Sequence, residues 1–174
     1  VTPTFNEVEN IEKNYLEIKK KINEINCDYE HLIIDNNSTD GTIDKIRLLA
    51  QKDKNLKIII NAKNYGHIRS PFYALLQTNS DATILMASDF QDPVELIPEY
   101  IENWKQGKKI VLGQKISSEE NKIKYSIRTL FYNFLNKISE FKLPKNTTGS
   151  GIFDNSIIDK LKKINDPYPY FRGL

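Results

Sequence analysis

The chain has 174 residues, with 25 basic and 23 acidic side chains and a formal net charge of +2 at pH 7. That length is sufficient for one hydrophobic core, and the small net charge gives no indication of nucleic-acid binding. The single cysteine, Cys27, excludes an internal disulfide and a cysteine-based zinc cluster. No apolar run approaches the ~20 residues that span a bilayer. Because the sequence begins at Val1 without Met and ends abruptly at Leu174, we interpret residues 1–174 as a single domain excised from a longer protein.

Apolar runs typical of buried strands alternate along the chain with segments of helical periodicity. This alternation predicts an α/β fold in which a mostly parallel sheet lies between helices. The predicted strands cover residues 1–4, 31–34, 57–60, 82–86 and 110–112. The predicted helices begin after Asn6 and after Gly41, and further helices cover residues 70–77 and 94–104. We expect Asn6 with Glu9 to cap the first helix and residues 38–40 to cap the second.

Three polar loops follow predicted strands. The first spans residues 3–7, the second residues 35–41 and the third residues 88–93. Since the carboxyl ends of parallel strands meet at one edge of a sheet, the three loops are expected to lie together there. Their clustered oxygen atoms suit a divalent cation that carries a phosphorylated substrate. For the third loop, Asp92 before Pro93 is equally well explained as a helix cap.

Three segments carry a family resemblance: VTPTFNE at 1–7, IDNNSTDGT at 34–42 and DFQDP at 89–93. In this order they resemble the motifs of the inverting family 2 glycosyltransferases, which have a GT-A fold. Within that family they are most similar to polyprenyl-phosphate glycosyltransferases of the dolichol-phosphate mannosyltransferase and bactoprenol glucosyltransferase type. Further blocks that resemble this subgroup are KNYGH at 63–67, TGSG at 148–151 and PYPYFRG at 167–173. The resemblance rests on the ordered set, and it implies a GT-A fold for the whole chain.

The resemblance implies a role for each matched position. Those implied to bind substrate are Pro3, Glu7, Asp35, Asn64, Gly66, His67, Ser88, Lys115, Thr148, Ser150 and Arg172. Those implied to be catalytic are Asp89, Gln91 and Arg128. A carboxylate such as Asp35 accepts hydrogen bonds from a uracil imide or from ribose hydroxyls, and an arginine binds phosphate in a bidentate manner. Glu7 is also explained as part of a helix start, and Thr148 and Ser150 as residues of a glycine-containing turn.

Asp89 and Gln91 match the metal-binding end of the family's Asp-X-Asp-X-Gln sequence, which implies Mg²⁺ or Mn²⁺ at the diphosphate. Such a cation neutralises the charge that builds on the departing nucleoside diphosphate. Ala87 stands where the first Asp of that sequence is common, so one anionic ligand is missing, and Asp92 is a candidate to replace it. Asn36 likewise replaces a frequent Asp, which removes a charge and keeps a hydrogen-bonding side chain.

The chemistry of the acceptor narrows the reaction. A sugar hydroxyl needs a general base, whereas a phosphate monoester already carries about 1.5 to 2 negative charges at pH 7 and needs cations for positioning. Residues 105–145 hold ten Lys or Arg against three acids, and an apolar stripe at helical spacing runs beside them. A basic amphipathic helix suits a membrane surface, and the same pattern also fits an ordinary helix with a solvated lysine face.

We therefore expect an enzyme that transfers a hexose with inversion from a UDP- or GDP-sugar, such as UDP-glucose, to a polyprenyl phosphate. This reaction would take place at the cytoplasmic face of the membrane, in cell-envelope glycan synthesis. Two alternatives remain open: a GT-A transferase that acts on a glycan hydroxyl, and a nucleotide-binding module without catalysis, which Ala87 and Asn36 suggest. A dinucleotide-binding domain is disfavoured because no Gly-X-Gly-X-X-Gly follows the first strand.

Overall fold

The computed structural model describes residues 1–114 and 147–164. Strands and helices alternate through most of this range, and the predicted α/β class is confirmed. The strands are β1 (Thr2–Thr4), β2 (His31–Asp35), β3 (Leu56–Ile60), β4 (Ala82–Leu85), β5 (Ile110–Gln114) and β6 (Thr147–Asp154). The helices are α1 (Ile11–Ile25), α2 (Thr42–Lys52), α3 (Gly66–Leu76), α4 (Leu96–Lys105) and α5 (Asn155–Lys163).

The strands form two groups that are hydrogen-bonded to each other. β1, β2 and β3 are parallel and lie in that order, while β6 pairs antiparallel with both β4 and β5. The two groups are joined at Val1, whose nitrogen donates to the Ile84 carbonyl and whose carbonyl accepts from the Met86 N–H. This pattern is that of parallel neighbours and places β4 beside β1. The amino end of β6 therefore lies at the same edge as the carboxyl ends of β1, β2 and β4.

Helices cover both faces of this sheet. Successive residues of a strand point to opposite sides, so a strand that is apolar on both sides presents side chains for helices to pack against on each face. In β2, Ile33 packs in a cluster with Ile11 of α1 and Ile46 of α2. Its neighbour Ile34 packs on the other side with Ala74 of α3. All five of these side chains are completely buried. The predicted sheet between helices is thus the arrangement observed.

The predicted start of the first helix is wrong. α1 begins at Ile11, and its first turn receives no side-chain cap. Asn6 instead has a left-handed backbone conformation, with φ of 54°, and its side-chain oxygen accepts a hydrogen bond from the Thr39 N–H at 2.9 Å. A contact to the next loop has therefore replaced the local cap that Asn6 and Glu9 suggested.

Two other local predictions are also wrong. Residues 148–151, expected in a turn, belong to the central strand β6. A Cβ at Gly151 would collide with the Val111 carbonyl oxygen, so this glycine marks the close approach of two strands. α3 begins at Gly66 rather than at residue 70, so His67 lies in its first turn and not in a loop.

Candidate functional site

Ser88 joins the loops that follow β1 and β4. Its side chain is 2% exposed, and its hydroxyl lies 3.1 Å from Thr4 Oγ1 and 3.4 Å from the Pro3 carbonyl oxygen. The Thr4 carbonyl in turn accepts a hydrogen bond from the Asn36 N–H at 2.9 Å. These contacts bring the ends of β1, β2 and β4 together at one edge of the sheet, where open α/β sheets bind ligands.

Asp35 organises the second loop. Its side chain is fully buried, and its carboxylate accepts hydrogen bonds from the Ser38 N–H at 2.7 Å and from the Ser38 hydroxyl at 2.6 Å. The Ser38 hydroxyl oxygen also accepts the Asn6 N–H at 2.8 Å, which fastens the first loop to the second. The observed contacts thus give Asp35 a role in shaping the loops, and its predicted contact with a nucleotide stays a prediction.

Asn36 connects the second loop to the segment between β3 and α3. Its side-chain oxygen accepts from Asn61 Nδ2 at 3.1 Å and from the Tyr65 N–H at 2.9 Å. Its side-chain nitrogen donates to Asn64 Oδ1 at 2.8 Å and to the Gly66 carbonyl at 3.4 Å. Asn64 and Gly66 are therefore brought to the site edge through Asn36, which uses both its donor and its acceptor. Sequence reasoning missed Asn61. Its position directly after the apolar strand β3 could have indicated that it lies at the same sheet edge as the other loops.

Asp89 and Gln91 lie in the loop directly after Ser88. Asp89 is half-buried, and its Oδ1 accepts the Gln91 N–H at 3.1 Å, while Gln91 is exposed. Between them, Phe90 has φ of 58°, a conformation that is strained for an aromatic residue. Lys13 of α1 lies over the Phe90 ring at 5.1 Å from its centroid, a cation–π contact. Held strain of this kind often accompanies functional loops.

The donor set of this loop fits a magnesium-like cation only in part. Asp89 supplies one carboxylate and Gln91 one amide oxygen, and the described residues contain no cluster of three or more His, Cys, Asp or Glu suited to a metal. Mg²⁺ commonly takes one or two carboxylates and completes its shell with water and substrate phosphates. The interpretation of Asp92 as a cap is wrong, because α4 starts after Glu95 without a side-chain cap bond.

Glu7 and His67 lie beside the site in local roles. The Glu7 carboxylate accepts from Asn10 Nδ2 at 2.7 Å, and its N–H donates to Thr42 Oγ1 at 2.9 Å. These contacts organise the turn before α1. They agree with the alternative explanation of Glu7 from the sequence, namely that it belongs to the start of a helix. His67 is exposed in the first turn of α3. Substrate contact stays a prediction for both residues.

Three hydroxyl groups meet beside the amino half of β6. Ser150 Oγ lies 2.9 Å from the Tyr100 hydroxyl and 3.0 Å from Thr148 Oγ1. A Cβ at Gly113 would lie 2.6 Å from the Tyr100 hydroxyl, so the hydroxyls fill the space that a side chain there would need. Sequence reasoning missed Tyr100, although a tyrosine in the apolar stripe of a helix needs a partner for its hydroxyl once it is buried.

Three carboxylate or imidazole groups with strongly shifted pKa values lie at the opposite edge of the sheet. Hydrogen bonds, the strongest from Lys19, lower the pKa of Asp53 to about 2. Burial lowers the pKa of His31 to about 3. A hydrogen bond from Ser156, together with others, holds the pKa of Asp154 far below its usual range. Asp53 precedes β3, His31 begins β2 and Asp154 ends β6, so these groups stabilise the fold at a distance from the candidate site.

Three predicted phosphate-binding residues, Lys115, Arg128 and Arg172, lie outside the described residues. Most of the basic stretch over residues 105–145 lies outside them as well. Among the helices that the structure describes, none has the length and apolarity required to cross a bilayer.

Comparison with known families identifies the chain. Residues 1–162 match the sequence profile described as "Glycosyl transferase family 2". The chain belongs to this family. The chain is 29% identical over 175 residues to the "Uncharacterized glycosyltransferase YkcC" of Bacillus subtilis (strain 168), and 29% identical over 175 residues to the "Bactoprenol glucosyl transferase" of Shigella phage SfX.

The relatives are longer than this chain. The match to the Bacillus subtilis protein covers 100% of this chain and 54% of the relative, and the match to the phage protein covers 100% and 57%. The chain thus spans slightly more than half the length of these two relatives. The recognised family and the residues matched agree with the resemblance noted in the sequence.

Solved structures of other glycosyltransferases have the same fold. The mannosyltransferase PcManGT from Pyrobaculum calidifontis, in complex with GDP-Man and Mn²⁺, superposes with a TM-score of 0.58 at 19% identity, covering 92% of this chain and 45% of that one. Glucosyl-3-phosphoglycerate synthase from Mycobacterium tuberculosis, in complex with UDP, superposes with a TM-score of 0.59 at 17% identity, covering 90% and 56%. The family 2 chain therefore has the GT-A fold.

Proposed function

We propose that the chain is the catalytic part of a glycosyltransferase that moves a hexose from a nucleotide sugar, such as UDP-glucose, to a polyprenyl phosphate. The observation that carries this proposal is the meeting of three loops at one sheet edge, with Asp35, Ser88 and Asp89 at the ends of neighbouring strands. An edge of this kind is where α/β sheets take nucleotides. The Mn²⁺-bound GDP-Man complex and the UDP complex among the similar structures support a nucleotide-sugar donor.

A phosphate acceptor is favoured over a hydroxyl acceptor by the names of the relatives and by the chemistry of the chain. The relatives called bactoprenol glucosyl transferases match the chain from end to end. A hydroxyl acceptor would need a general base, whereas a phosphate monoester is already anionic. Among the described residues of the second half, Asp154 is a poor candidate for that base. Its carboxylate accepts hydrogen bonds from Trp104 Nε1 at 2.9 Å and from Lys109 Nζ at 3.0 Å, at the opposite edge of the sheet. Attack by the lipid phosphate on the anomeric carbon, in line with the departing diphosphate, gives inversion.

Asp89 and Gln91 would hold the Mg²⁺ or Mn²⁺ ion, which when bound acts as a Lewis acid towards the leaving diphosphate. The protein's own part is to position both substrates and to supply positive charge. Lys115, Arg128 and Arg172 are proposed to provide that charge near the phosphates, since guanidinium groups bind phosphate with two parallel hydrogen bonds. We place the reaction at the cytoplasmic face of the membrane, where a lipid phosphate and a soluble nucleotide sugar meet, and assign it to cell-envelope glycan synthesis.

The test is transfer of radiolabelled sugar by the full-length parent protein in membranes. UDP- and GDP-sugars are supplied with undecaprenyl phosphate, with and without Mg²⁺ or Mn²⁺. Label is expected in the lipid fraction, and Asp89→Asn is expected to lower transfer tenfold or more because loss of a metal ligand removes several kcal/mol, roughly, of charge stabilisation. Asp81→Asn is the matched control, because Asp81 is exposed before β4 at the opposite edge.

Two results would contradict the proposal in different ways. Donor hydrolysis without labelled lipid would indicate a glycan acceptor, and nucleotide binding without turnover would indicate a module that has lost catalysis. Full transfer by Asp89→Asn, with the control equally active, would remove Asp89 from the site.

A further inference from the structure

Two neighbouring residues of α1, Lys13 and Asn14, contact the loop that carries Asp89. Asn14 Nδ2 lies 3.5 Å from the Ala87 carbonyl oxygen, at the beginning of that loop. Lys13 Nζ lies 5.1 Å from the centroid of the Phe90 ring, directly after Asp89. The helix therefore contacts the loop on both sides of Asp89 along the chain.

Asn14 is a polar side chain in the buried face of α1. It is 1% exposed, and it lies about one turn from Ile11 and from Ile18, which are both buried. A carbonyl oxygen only accepts hydrogen bonds, so the amide of Asn14 must turn its nitrogen towards Ala87. Its Oδ1 is then buried, and among the described residues it has no hydrogen-bond partner. An apolar side chain of similar size would avoid this cost, so the stability of the core does not explain the asparagine.

The loop itself has a conformation that needs support. Phe90 has φ of 58°, in the left-handed region that a bulky side chain rarely adopts. Within the loop, the Gln91 N–H donates to Asp89 Oδ1 at 3.1 Å, in a bond that spans Phe90. The ammonium group of Lys13 is attracted to the face of the Phe90 ring and favours the ring position that accompanies this turn. Strained residues persist where the surrounding contacts hold them in place.

The residue that Asn14 contacts is the one that lacks the expected carboxylate. Ala87 stands where the family resemblance implies an Asp, so Asp89 is the one acid of residues 87–91. Binding through a single carboxylate depends strongly on its direction, because no second carboxylate compensates for an error. Ligand-binding residues of this kind are held by supporting residues that fix their orientation. Lys13 and Asn14 are placed to give that support.

We infer that Lys13 and Asn14 are positioning residues that hold residues 87–91 in the arrangement in which Asp89 binds its ligand. Asn14 acts through the Ala87 carbonyl, and Lys13 acts through the Phe90 ring. Neither residue touches the substrate. The inference deepens the proposed function and rests on it, because a site at Asp89 is what gives the fixed loop a use.

Hydrogen exchange of the full-length parent protein, without metal or nucleotide, tests the loop directly. Asn14→Leu keeps a side chain of similar size and removes the donor. It is expected to speed exchange of the Gln91 amide, which is hydrogen-bonded to Asp89, about three- to tenfold, because the open form of the loop becomes more populated. The melting temperature is expected to stay unchanged or to rise, since the unpartnered oxygen is removed as well. Asn23→Leu, an exposed change on the same helix, is the matched control and should alter neither quantity.

Lys13 provides a second set of variants. Lys13→Met keeps the length of the side chain and removes its charge, and it is expected to speed the same exchange about two- to fivefold. Lys13→Arg is expected to retain the wild-type rate, because a guanidinium group also packs on an aromatic face. Glu17→Gln is the matched control, since it removes the surface ion pair of Lys13 at 3.7 Å and leaves the contact with Phe90 in place.

Calorimetry of UDP and GDP binding to the same proteins, with and without Mn²⁺, distinguishes positioning of Asp89 from a general structural role. Asn14→Leu and Lys13→Met are expected to weaken Mn²⁺-dependent nucleotide binding about three- to tenfold and to leave binding without metal unchanged. Equal loss of affinity with and without Mn²⁺ would mean that the two residues support the nucleotide rather than Asp89, and it would overturn the inference.

Other results would overturn it as well. Exchange at the wild-type rate in both Asn14→Leu and Lys13→Met would show that α1 does not hold the loop. A lower melting temperature of Asn14→Leu, with faster exchange throughout the chain, would make Asn14 an ordinary core residue. If the wild-type protein binds neither nucleotide, the proposed function fails, and the exchange measurement still decides whether α1 holds the loop.

Discussion

Asn36 illustrates how a single side chain adapts a family motif to its surroundings. The resemblance noted in the sequence implies an Asp at this position, and its replacement by Asn was one reason to consider a nucleotide-binding module without catalysis. The structure gives a different reason, because Asn36 donates to two oxygen atoms, those of Asn64 and Gly66. A carboxylate cannot donate these hydrogen bonds. The asparagine is therefore suited to this particular loop, and the suggestion of a degenerate module loses part of its basis.

We predict that Asn36→Asp destabilises the loop between β3 and α3. It leaves Asn64 Oδ1 and the Gly66 carbonyl facing a negative charge, which should lower the free energy of unfolding by about 1–3 kcal/mol and weaken UDP binding. Urea unfolding and UDP titration measure the two effects. Asn37→Asp is the control, since Asn37 is exposed and its left-handed backbone suits either residue. A variant at position 36 with wild-type stability would refute this explanation of the asparagine.

At the scale of single residues, the sequence predicted positions better than partners. Asp35 and Ser88 do lie at the ends of neighbouring strands, because an apolar run followed by polar residues is a local pattern that sequence reveals. Their partners depend on which loops meet in space. Ser38 bonding to both Asp35 and Asn6 is a result of sheet assembly, and spacing along the chain contains no information about it.

Among the strands, β6 shows where composition misleads. Two glycines within TGSG suggested a turn, yet β6 is the central strand between β4 and β5. Its glycines allow close approach of the neighbouring backbone rather than reversal of the chain. Its nearest pairing partner along the chain, β5, ends 33 residues before it begins, counted from Gln114 to Thr147. Local propensity therefore could not identify this strand, whereas the strongly apolar β2 and β3 were predicted within two residues.

We predict that Gly113→Ala in β5 disturbs the hydroxyl cluster beside β6. The added methyl group would lie 2.8 Å from Thr148 Oγ1 and 2.9 Å from Ser150 Oγ, so the cluster must shift, with an expected loss of about 1–3 kcal/mol in the free energy of unfolding. Tyr100→Phe removes the atom nearest to the new methyl group, at 2.6 Å. The double variant is therefore expected to lose less stability than the sum of the two single variants.

Denaturant unfolding of the four proteins in this cycle measures the coupling. Strict additivity would show that Gly113 and Tyr100 do not share the space that their geometry indicates. It would also contradict the close packing of the three hydroxyl groups of Tyr100, Thr148 and Ser150 around Gly113.

Across the whole molecule, the two edges of the sheet serve different purposes. The carboxyl edge holds the three loops and their polar side chains, where we propose that the nucleotide sugar binds. The amino edge holds networks that satisfy one another, such as Asp53, which accepts hydrogen bonds from Tyr15 at 2.6 Å and from Lys19 at 2.7 Å. These hydrogen bonds and the charge of Lys19 offset the cost of burying the Asp53 carboxylate.

His31 at the amino edge makes the stability of the whole molecule depend on pH. Its Nε2 lies 2.8 Å from Thr2 Oγ1, its ring is stacked at 18° on Tyr15, and among the described residues its buried Nδ1 has no partner. Protonation would place a charge where no acceptor can take the second N–H. Burial accordingly lowers the pKa of His31 to about 3, compared with 6.5 in an unfolded chain.

Between these two pKa values the unfolded chain binds one more proton than the folded chain. The contribution of His31 is therefore fully present above pH 6.5 and is lost as the pH falls, at about 1.4 kcal/mol per pH unit.

The variant His31→Phe keeps the aromatic stacking and removes the titrating group. The stability difference between wild type and variant should therefore shrink by about 2 kcal/mol from pH 6.5 to pH 5. Asp53, with its pKa lowered to about 2, keeps its full contribution above about pH 4 and loses it only below that pH, so it does not change between pH 6.5 and pH 5. His67→Gln changes the one other histidine, which is exposed, and should retain the wild-type slope. Parallel curves for wild type and His31→Phe in urea unfolding across this range would mean that His31 takes up its proton in the folded chain over the same pH range as in the unfolded chain, and that the buried edge is more open to water than its contacts indicate.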